Sequence, residues 1–274
     1  MTQGLLESFF LESSAGRIFI VLHRAVDSDR CAVFVPPFAE EMNKCRSQTA
    51  ATARLLAASG CSALIVDLYG TGDSEGDFSD ASWPVWTQDV ALAVNWATDN
   101  GLIVDAMVAT RLGCSLAVES FAEADLCVSK TVFWQPVESG DDHMNQFLRY
   151  GIAASMMKSK SGGKIGDLKQ HLDKGDTLEI AGYLLAPTLW SEIQQVRLLD
   201  KLGPFLGELQ ILEVGRTAGR ELSPSSTYIE SAANERGLPT KLLRLRGEPY
   251  WASAEIVVNA ELCRATVQAI VGRQ

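Results

Sequence analysis

The sequence predicts an α/β fold, in which a mostly parallel sheet carries helices on both faces. Two observations support this fold class. Short apolar runs typical of buried strands alternate with longer segments of helical periodicity along most of the 274 residues. The predicted helices up to 224–236 in the core each lie between two predicted strands, and such a crossover joins parallel neighbours in a sheet. The length, with 47% hydrophobic and 21% charged residues, suits one large domain or a domain with an insertion.

Turn residues and spacing justify the individual elements. A hairpin is predicted over 5–25, because a polar turn ending in glycine separates two apolar runs. The strand over 31–35 stops at two prolines, and the helix over 43–59 has alanine and leucine at helical spacing and ends before a glycine. The remaining strands are predicted over 62–68, 103–109, 130–136, 209–214 and 240–246, and the remaining helices over 83–99, 113–124, 224–236 and 254–271.

An arginine occupies the apex of one strand-to-helix turn. Residues 109–113 read Ala-Thr-Arg-Leu-Gly, which follows the small-x-nucleophile-x-small pattern of the nucleophile elbow in α/β-hydrolases. Arg111 therefore holds the nucleophile position. A guanidinium stays protonated at ordinary pH and cannot attack a carbonyl carbon. The layout predicts an α/β-hydrolase fold, whereas the residue at its apex argues against the usual hydrolase chemistry.

The loop after the first parallel strand is acidic. In α/β-hydrolases this loop supplies a backbone N–H of the oxyanion hole. Because Pro37 has no backbone N–H, Phe38 or Ala39 would have to donate. Glu40 and Glu41 allow two interpretations. They can form the acidic first turn of the following helix, or one carboxylate can face Arg111.

The other two positions of a Ser-His-Asp triad also lack the expected residues. After the strand over 209–214 the loop contains Glu221 as its carboxylate, which is either a solvated loop residue or part of the site. The loop over 247–251, where a histidine is expected, has none, and we predict that Trp251 lines the pocket instead. Losses in separate loops indicate a consistent loss of the triad.

Displaced catalytic residues are the alternative to that loss. Cys114 or Ser115, just after the elbow, is a candidate nucleophile, and a thiol beside Arg111 at a helix N-terminus can have a lowered pKa. Both side chains, however, are expected to point along the helix. His143 and His171 can in principle reach the site as bases, although surface positions are expected for them.

A glycine-rich loop follows the strand over 62–68. Residues 67–76 contain Asp-x-x-Gly-x-Gly-x-Ser, which recurs in α/β-hydrolases as packing beneath the site. A ligand contact is the other interpretation. The loop lacks the Gly-Lys-Ser/Thr ending of a P-loop and the Rossmann glycine pattern, so nucleotide binding has little support.

Residues 137–207 break the strand and helix alternation. We predict amphipathic helices in the first part and over 178–194, with a Gly/Ser/Lys-rich mobile loop between them. An insertion at this point is where α/β-hydrolases place a cap over the active site. The expected domains are therefore a core of 1–136 and 208–274 and a helical cap of 137–207.

Composition excludes several function classes. The net charge is −10 and no basic stripe in the sequence offsets it, so no nucleic-acid partner is expected. No apolar run approaches the ~20 residues of a membrane span, and the N-terminus lacks signal-peptide features. The cysteines form no CxxC pair and the histidines no ligand spacing, so reduced thiols without a metal or cofactor are expected. These features predict a cytoplasmic protein of bacterial type.

Six motifs together resemble the exosortase A system-associated hydrolase 2 family, over nearly the whole chain. This α/β-hydrolase-like group is linked to bacterial exopolysaccharide and protein-sorting loci. The resemblance implies the fold and an arginine elbow, but supplies neither substrate nor reaction. The motifs are Pro36 to Lys44, Asp67 to Ser74, Arg111-Leu112-Gly113, Gln146 to Arg149, Glu179 to Tyr183, and Gly247 to Trp251.

Two functional hypotheses follow. In the first, a degenerate hydrolase binds a small anionic or acyl-type molecule, or a partner peptide, because a guanidinium fork suits carboxylate and phosphate groups. In the second, the chain hydrolyses ester or acyl bonds with Cys114 or Ser115 as nucleophile. The predicted ligand-binding residues of the first hypothesis are Arg111, Phe38, Glu40, Glu41, Leu112, Trp251 and Glu221.

Overall fold

The computed structural model describes residues 5–159, 164–216 and 222–272. Within these ranges the chain forms ten strands and eight α-helices. The strands are β1 Leu6–Glu12, β2 Arg17–His23, β3 Arg30–Val35, β4 Ser62–Val66, β5 Ile103–Thr110, β6 Lys130–Trp134, β7 Leu178–Ile180, β8 Tyr183–Leu185, β9 Glu208–Gly215 and β10 Thr240–Arg246. The helices are α1 Glu40–Ala58, α2 Trp83–Asp99, α3 Gly113–Glu123, α4 Gly140–Ser159, α5 Ile165–Asp173, α6 Pro187–Gln195, α7 Pro224–Glu235 and α8 Ala260–Val271.

Eight strands form one sheet in the order β1-β2-β4-β3-β5-β6-β9-β10. The first hairpin pairs antiparallel and joins β4 antiparallel, whereas every later pair is parallel. The predicted mostly parallel sheet is thus confirmed. The carboxyl ends of β3, β5 and β6 meet at one edge, which is where open α/β sheets bind ligands.

Each face of the sheet carries its own hydrophobic core. Because side chains alternate along a strand, Val108 and Val132 face α1 and α8, while Ala109 and Phe133 face the opposite layer with α2, α3 and α7. Both layers contain fully buried residues. Helices therefore cover both sides of the sheet, as the sequence predicts.

Two helix starts differ from the predicted boundaries. Helix α1 begins at Glu40 rather than at 43, so both acidic residues lie in its first turn. Helix α8 begins at Ala260 rather than at 254. The Asn259 side-chain oxygen accepts hydrogen bonds from the backbone N–H groups of Glu261 and Leu262 and so caps the helix there. Local capping therefore outweighs the apolar pattern that precedes it.

The segment predicted as a helical cap contains more than helices. The sequence prediction of a helix over 178–194 is wrong: β7 and β8 form a hairpin, and only α6 is helical. The turn Ala181-Gly182 has φ of 53° and 91°, which suits a two-residue hairpin, and Pro187 then opens α6. Helix α5 was not predicted, and residues 160–163 of the predicted mobile loop lie outside the described residues.

Polar contacts join residues 137–207 to the rest of the chain. The Trp83 backbone N–H donates to Glu192 at 2.7 Å, and the Asn43 amide donates to the Tyr183 hydroxyl at 2.8 Å. Gly140 begins α4 where a Cβ atom would overlap a backbone carbonyl of α6. These contacts hold β8 and α6 against α1 and α2, and α6 packs closely against the start of α4.

The glycine-rich loop is tied to the sheet by a buried carboxylate. Asp67 accepts from the Arg46 guanidinium at 2.6 Å and from the Asp73 backbone N–H at 3.0 Å. Gly72 has φ of 58°, and a Cβ atom there would overlap the Asp67 carboxylate. The Asp67 carboxylate thus has hydrogen-bond partners in the loop and in α1. None of the helices in the described part of the chain is long and apolar enough to cross a membrane.

Candidate functional site

Arg111 lies at the sharp turn between β5 and α3. Its φ of 56° is left-handed, which costs a non-glycine residue about 1 kcal/mol or more. The backbone N–H donates to the Trp134 carbonyl at 3.0 Å. Gly113 permits the turn, because a Cβ atom there would overlap the Pro36 carbonyl oxygen. The turn therefore carries the Arg111 side chain to the carboxyl edge of the sheet.

Four groups hold the Arg111 guanidinium, whose side chain is 12% exposed. Nε donates to Glu41 at 3.0 Å, Nη2 to the Gln146 side-chain oxygen at 3.3 Å, and Nη1 to the Gln135 carbonyl at 3.5 Å. The Trp251 ring lies 5.4 Å from the guanidinium carbon, a cation–π distance. Glu41 is the one carboxylate in this set, and both Nη contacts are long.

The two glutamates of the acidic loop have separate partners. Glu41 faces Arg111, whereas Glu40 accepts from the Tyr183 hydroxyl at 3.4 Å. Burial and the nearby Glu40 raise the pKa of Tyr183 to about 12. Ala39, with φ of 49°, starts the helix without a side-chain cap, so the two carboxylates at the helix N-terminus also interact favourably with its dipole. Both interpretations of the acidic residues therefore describe this structure.

A histidine that the sequence argument placed at the surface lies inside the site. His143 of α4 is buried, with Nε2 4.0 Å from the second Glu41 oxygen and its ring edge-on to Phe38 at 5.7 Å. Burial lowers its pKa to about 4, although Glu41 opposes that effect. His143 is therefore neutral near pH 7. His171, by contrast, is exposed and pairs with Asp176 at 2.7 Å.

Two atoms of this cluster have no hydrogen-bond partner among the described residues. They are the second carboxylate oxygen of Glu41 and Nδ1 of His143, both shielded from solvent. A buried polar atom without a partner is costly. No sequence signal distinguishes His143 from a surface histidine, because its position depends on how α4 docks.

The cluster borders a cavity of about 210 Å³ between the sheet edge and α4. Its walls are largely aromatic, and its charged groups come from α1 and the elbow. Leu112 lies outside this cavity, buried in the core beneath the elbow. Glu221 lies outside the described residues. The lining residues are Phe38, Glu40, Glu41, Lys44, Arg111, His143, Gln146, Phe147, Tyr150, Trp251 and Ala252.

The two displaced nucleophile candidates do not line the cavity. Cys114 is fully buried, and its thiol contacts the Ala109 carbonyl at 3.3 Å. Burial raises the pKa of Cys114 well above its usual range, so the expectation of a lowered value is wrong: desolvation outweighs the nearby Arg111. Ser115 is also buried, and its hydroxyl has no partner among the described residues.

The loop at the histidine position of a triad is occupied by aromatic side chains. Tyr250 is fully buried and lies edge-on to Trp134, while the adjacent Trp251 reaches the cavity. Glu248 pairs with Arg216 at 2.6 Å and not with the elbow. Within the described ranges, no group of three or more histidine, cysteine, aspartate or glutamate side chains is placed to hold a metal ion.

Solved structures with this architecture include several esterases. Est1E from Butyrivibrio proteoclasticus superposes with a TM-score of 0.65 at 15% identity, covering 95% of this chain and 96% of its own. Carboxyl esterase 2 from Tuber melanosporum gives 0.59 at 14% identity over 99% and 85%. An arylesterase gives 0.61 at 16% identity over 99% and 85%. The fold is that of the α/β-hydrolases.

Comparison of the sequence alone identifies no family. No protein-family model matches the chain, and a search of curated protein sequences also finds no match. Structural likeness at such low identity shows the fold and not the reaction. The resemblance to the exosortase-associated family therefore stays a prediction.

Proposed function

We propose that the cavity beneath α4 binds a small molecule with an anionic head and a flat apolar body, without cleaving it. The observation that carries this proposal is the Arg111 guanidinium at the apex of the elbow, bordering an aromatic cavity. The same position would present the nucleophile in a serine hydrolase. A fixed cation there suits a carboxylate or phosphate group.

The hydrogen bonds of Arg111 leave room for an anion. Its two Nη atoms make contacts of 3.3 and 3.5 Å with the neutral oxygens of Gln146 and Gln135. Charge-assisted bonds are shorter, about 2.7–2.9 Å, and roughly twice as strong as neutral ones. Lys44 adds a second cation at the cavity wall. An anion that replaces the two neutral acceptors would therefore gain binding free energy.

Cavity size and wall chemistry support an aromatic or short acyl body. A dry cavity of about 150 Å³ accommodates benzene. The present cavity of about 210 Å³ is larger by a small substituent, and the aromatic side chains of Phe147, Tyr150 and Trp251 line it. Est1E has been solved with ferulic acid, an aromatic carboxylic acid, in complex. We therefore propose aryl carboxylates as the first ligand class and acyl phosphates as the second. The family resemblance adds the proposal of a physiological setting in an exopolysaccharide or exosortase system.

The second candidate is ester hydrolysis. The esterases among the similar structures favour it. Against it, a nucleophile must lie within hydrogen-bond reach of a base, and neither Cys114 nor Ser115 borders the cavity that contains His143. Turnover of an aryl ester that is lost in Cys114→Ala or Ser115→Ala would establish this function.

Titration calorimetry with matched ligands tests the binding proposal. Benzoate, cinnamate and ferulate are compared with their neutral amides, on the wild type and on Arg111→Met. Loss of charge-assisted bonds worth about 1.5–3 kcal/mol predicts a 10- to 150-fold weaker Kd for the acids in the variant. Arg216→Met is the control, since this exposed arginine does not line the cavity. Equal binding of acids and amides, or of wild type and Arg111→Met, would overturn the proposal.

A further inference from the structure

A second cavity of about 230 Å³ lies between α1 and the sheet. Its walls share no residue with the cavity at Arg111, although α1 contributes to both. Glu41 and Lys44 face the first cavity, while Met42 and Cys45 face the second. The lining residues are Val21, His23, Phe34, Val35, Pro36, Pro37, Met42, Cys45, Arg46, Thr49, Ala50, Ile65, Val66, Asp67 and Thr110.

The floor of this cavity is an apolar row across three strands. Val21 of β2 pairs with Ile65 of β4, which in turn pairs with Phe34 of β3. Residues paired in a sheet place their side chains on the same face, so the three form a continuous surface. Val21 and Ile65 are only partly buried, because α1 does not cover this part of the sheet completely. The floor suits an aliphatic chain.

An imidazole lies at one end of the cavity. His23 is 9% exposed, lines the wall and makes no side-chain hydrogen bond within the part of the chain that the structure describes. Burial and, to a smaller extent, Arg54 lower its pKa, which favours the neutral ring. A neutral imidazole has one N–H donor and one nitrogen acceptor, so it can hydrogen-bond to a polar group of a ligand.

A guanidinium marks the opposite end. Arg46 uses Nη2 for its pair with Asp67 at 2.6 Å, while its Nε and Nη1 make no hydrogen bond to any described residue. Its side chain is 40% exposed, so an incoming anion can reach it from solvent. Asp67, the partner of Arg46, lies four residues beyond Ala63, which pairs with His23, and four residues of a strand span about 13 Å.

We infer that this cavity is a ligand site for an unbranched, medium-chain monocarboxylate with a polar group at its far end. The carboxylate would bind Arg46, the chain would lie on the apolar row, and the distal polar group would bond His23. A cavity somewhat larger than the 150 Å³ that holds benzene accommodates roughly six to eight carbons. This inference is independent of the function proposed for the Arg111 site.

The test is the binding of 8-hydroxyoctanoate, measured by NMR and by thermal melting. The expected result is saturable binding, with intermolecular NOEs from the alkyl chain of the ligand to methyl groups of Val21 and Ile65. 8-Hydroxyoctanamide, which lacks the charge, should bind at least tenfold more weakly, and octanoate, which lacks the distal hydroxyl, should bind less tightly than the hydroxy acid.

Variants locate the site. Ala50→Phe should fill the cavity from α1 and weaken binding at least tenfold, whereas Ala58→Phe, on an exposed position of the same helix, should leave it unchanged. Arg216→Met, at an exposed arginine that lines neither cavity, should also bind like the wild type. No binding, NOEs to other methyl groups, or unchanged binding in Ala50→Phe would each overturn the inference. Because the NOEs are measured on wild type, the test does not depend on the folding of Ala50→Phe.

Discussion

Replacing Arg111 with methionine should destabilise the protein by about 2–3 kcal/mol. The change keeps an unbranched stem and removes the guanidinium with its charge, which leaves Glu41 without its ion-pair partner at 3.0 Å. Breaking a fully buried pair costs about 3–5 kcal/mol, and an exposed pair is worth about 0–1 kcal/mol. The two side chains here are 12% and 20% exposed, so the expected cost lies between these limits and nearer the buried one.

Urea unfolding followed by circular dichroism measures this cost. A loss of about 2–3 kcal/mol corresponds to a Tm lower by about 4–12 °C for a chain of this size. Glu41→Gln alone should also destabilise, but Arg111→Met combined with Glu41→Gln should be more stable than the sum of the single changes predicts, because no lone carboxylate remains. Glu248→Gln is the control, since its pair with Arg216 is exposed.

Two results would contradict this reasoning. If Arg111→Met unfolds within about 0.5 kcal/mol of the wild type, or if the double-mutant cycle shows no coupling, the Arg111–Glu41 pair is not a structural unit of the site.

Three further outcomes follow from the structure. The pKa of His143 is about 4 in the folded protein against an ordinary 6.5, so unfolding takes up a proton between these pH values. The free energy of unfolding should therefore fall by on the order of 3 kcal/mol from pH 6.5 to pH 4. In His143→Phe this part of the pH profile, measured by urea unfolding, should be flatter. Four-nitrophenyl esters should turn over at the rate of a buffer blank, and equally in Cys114→Ala and Ser115→Ala; turnover far above the blank would contradict this. Iodoacetamide should label the exposed Cys127 much faster than the buried cysteines, as peptide mass spectrometry can measure.

Local patterns predicted the core of the fold, and the structure confirms that prediction. Strand and helix alternation depends on spacing within a dozen residues, and turn glycines and prolines mark the ends. The elbow is likewise a local pattern, so the sequence identified Arg111 at its apex. The sequence argument also named Glu40 and Glu41 as its neighbours, and the structure brings Glu41 to 3.0 Å.

Residues 137–207 were predicted less well, for physical reasons. A run such as residues 178–194 carries apolar side chains that suit either a hairpin or a helix, and the turn at Ala181-Gly182 decides between them. The place of His143 depends on the docking of α4 against α1 and the elbow, which are distant in sequence. No local spacing encodes such a contact, so the histidine could not be separated from His171.

The backbone strain at Arg111 bears on why a side chain is needed at the apex. A glycine would adopt the φ of 56° without the cost that a non-glycine residue bears. The contacts of the guanidinium with Glu41, Gln146 and Trp251 must therefore offset that cost as well as the loss of rotamer freedom. Of these, the ion pair and the ring contact are well formed, while the contacts of Nη1 and Nη2 are long. The strain thus fixes the backbone, Glu41 and Trp251 fix the plane of the guanidinium, and the two Nη atoms keep the hydrogen-bonding capacity that an anion in the cavity would use.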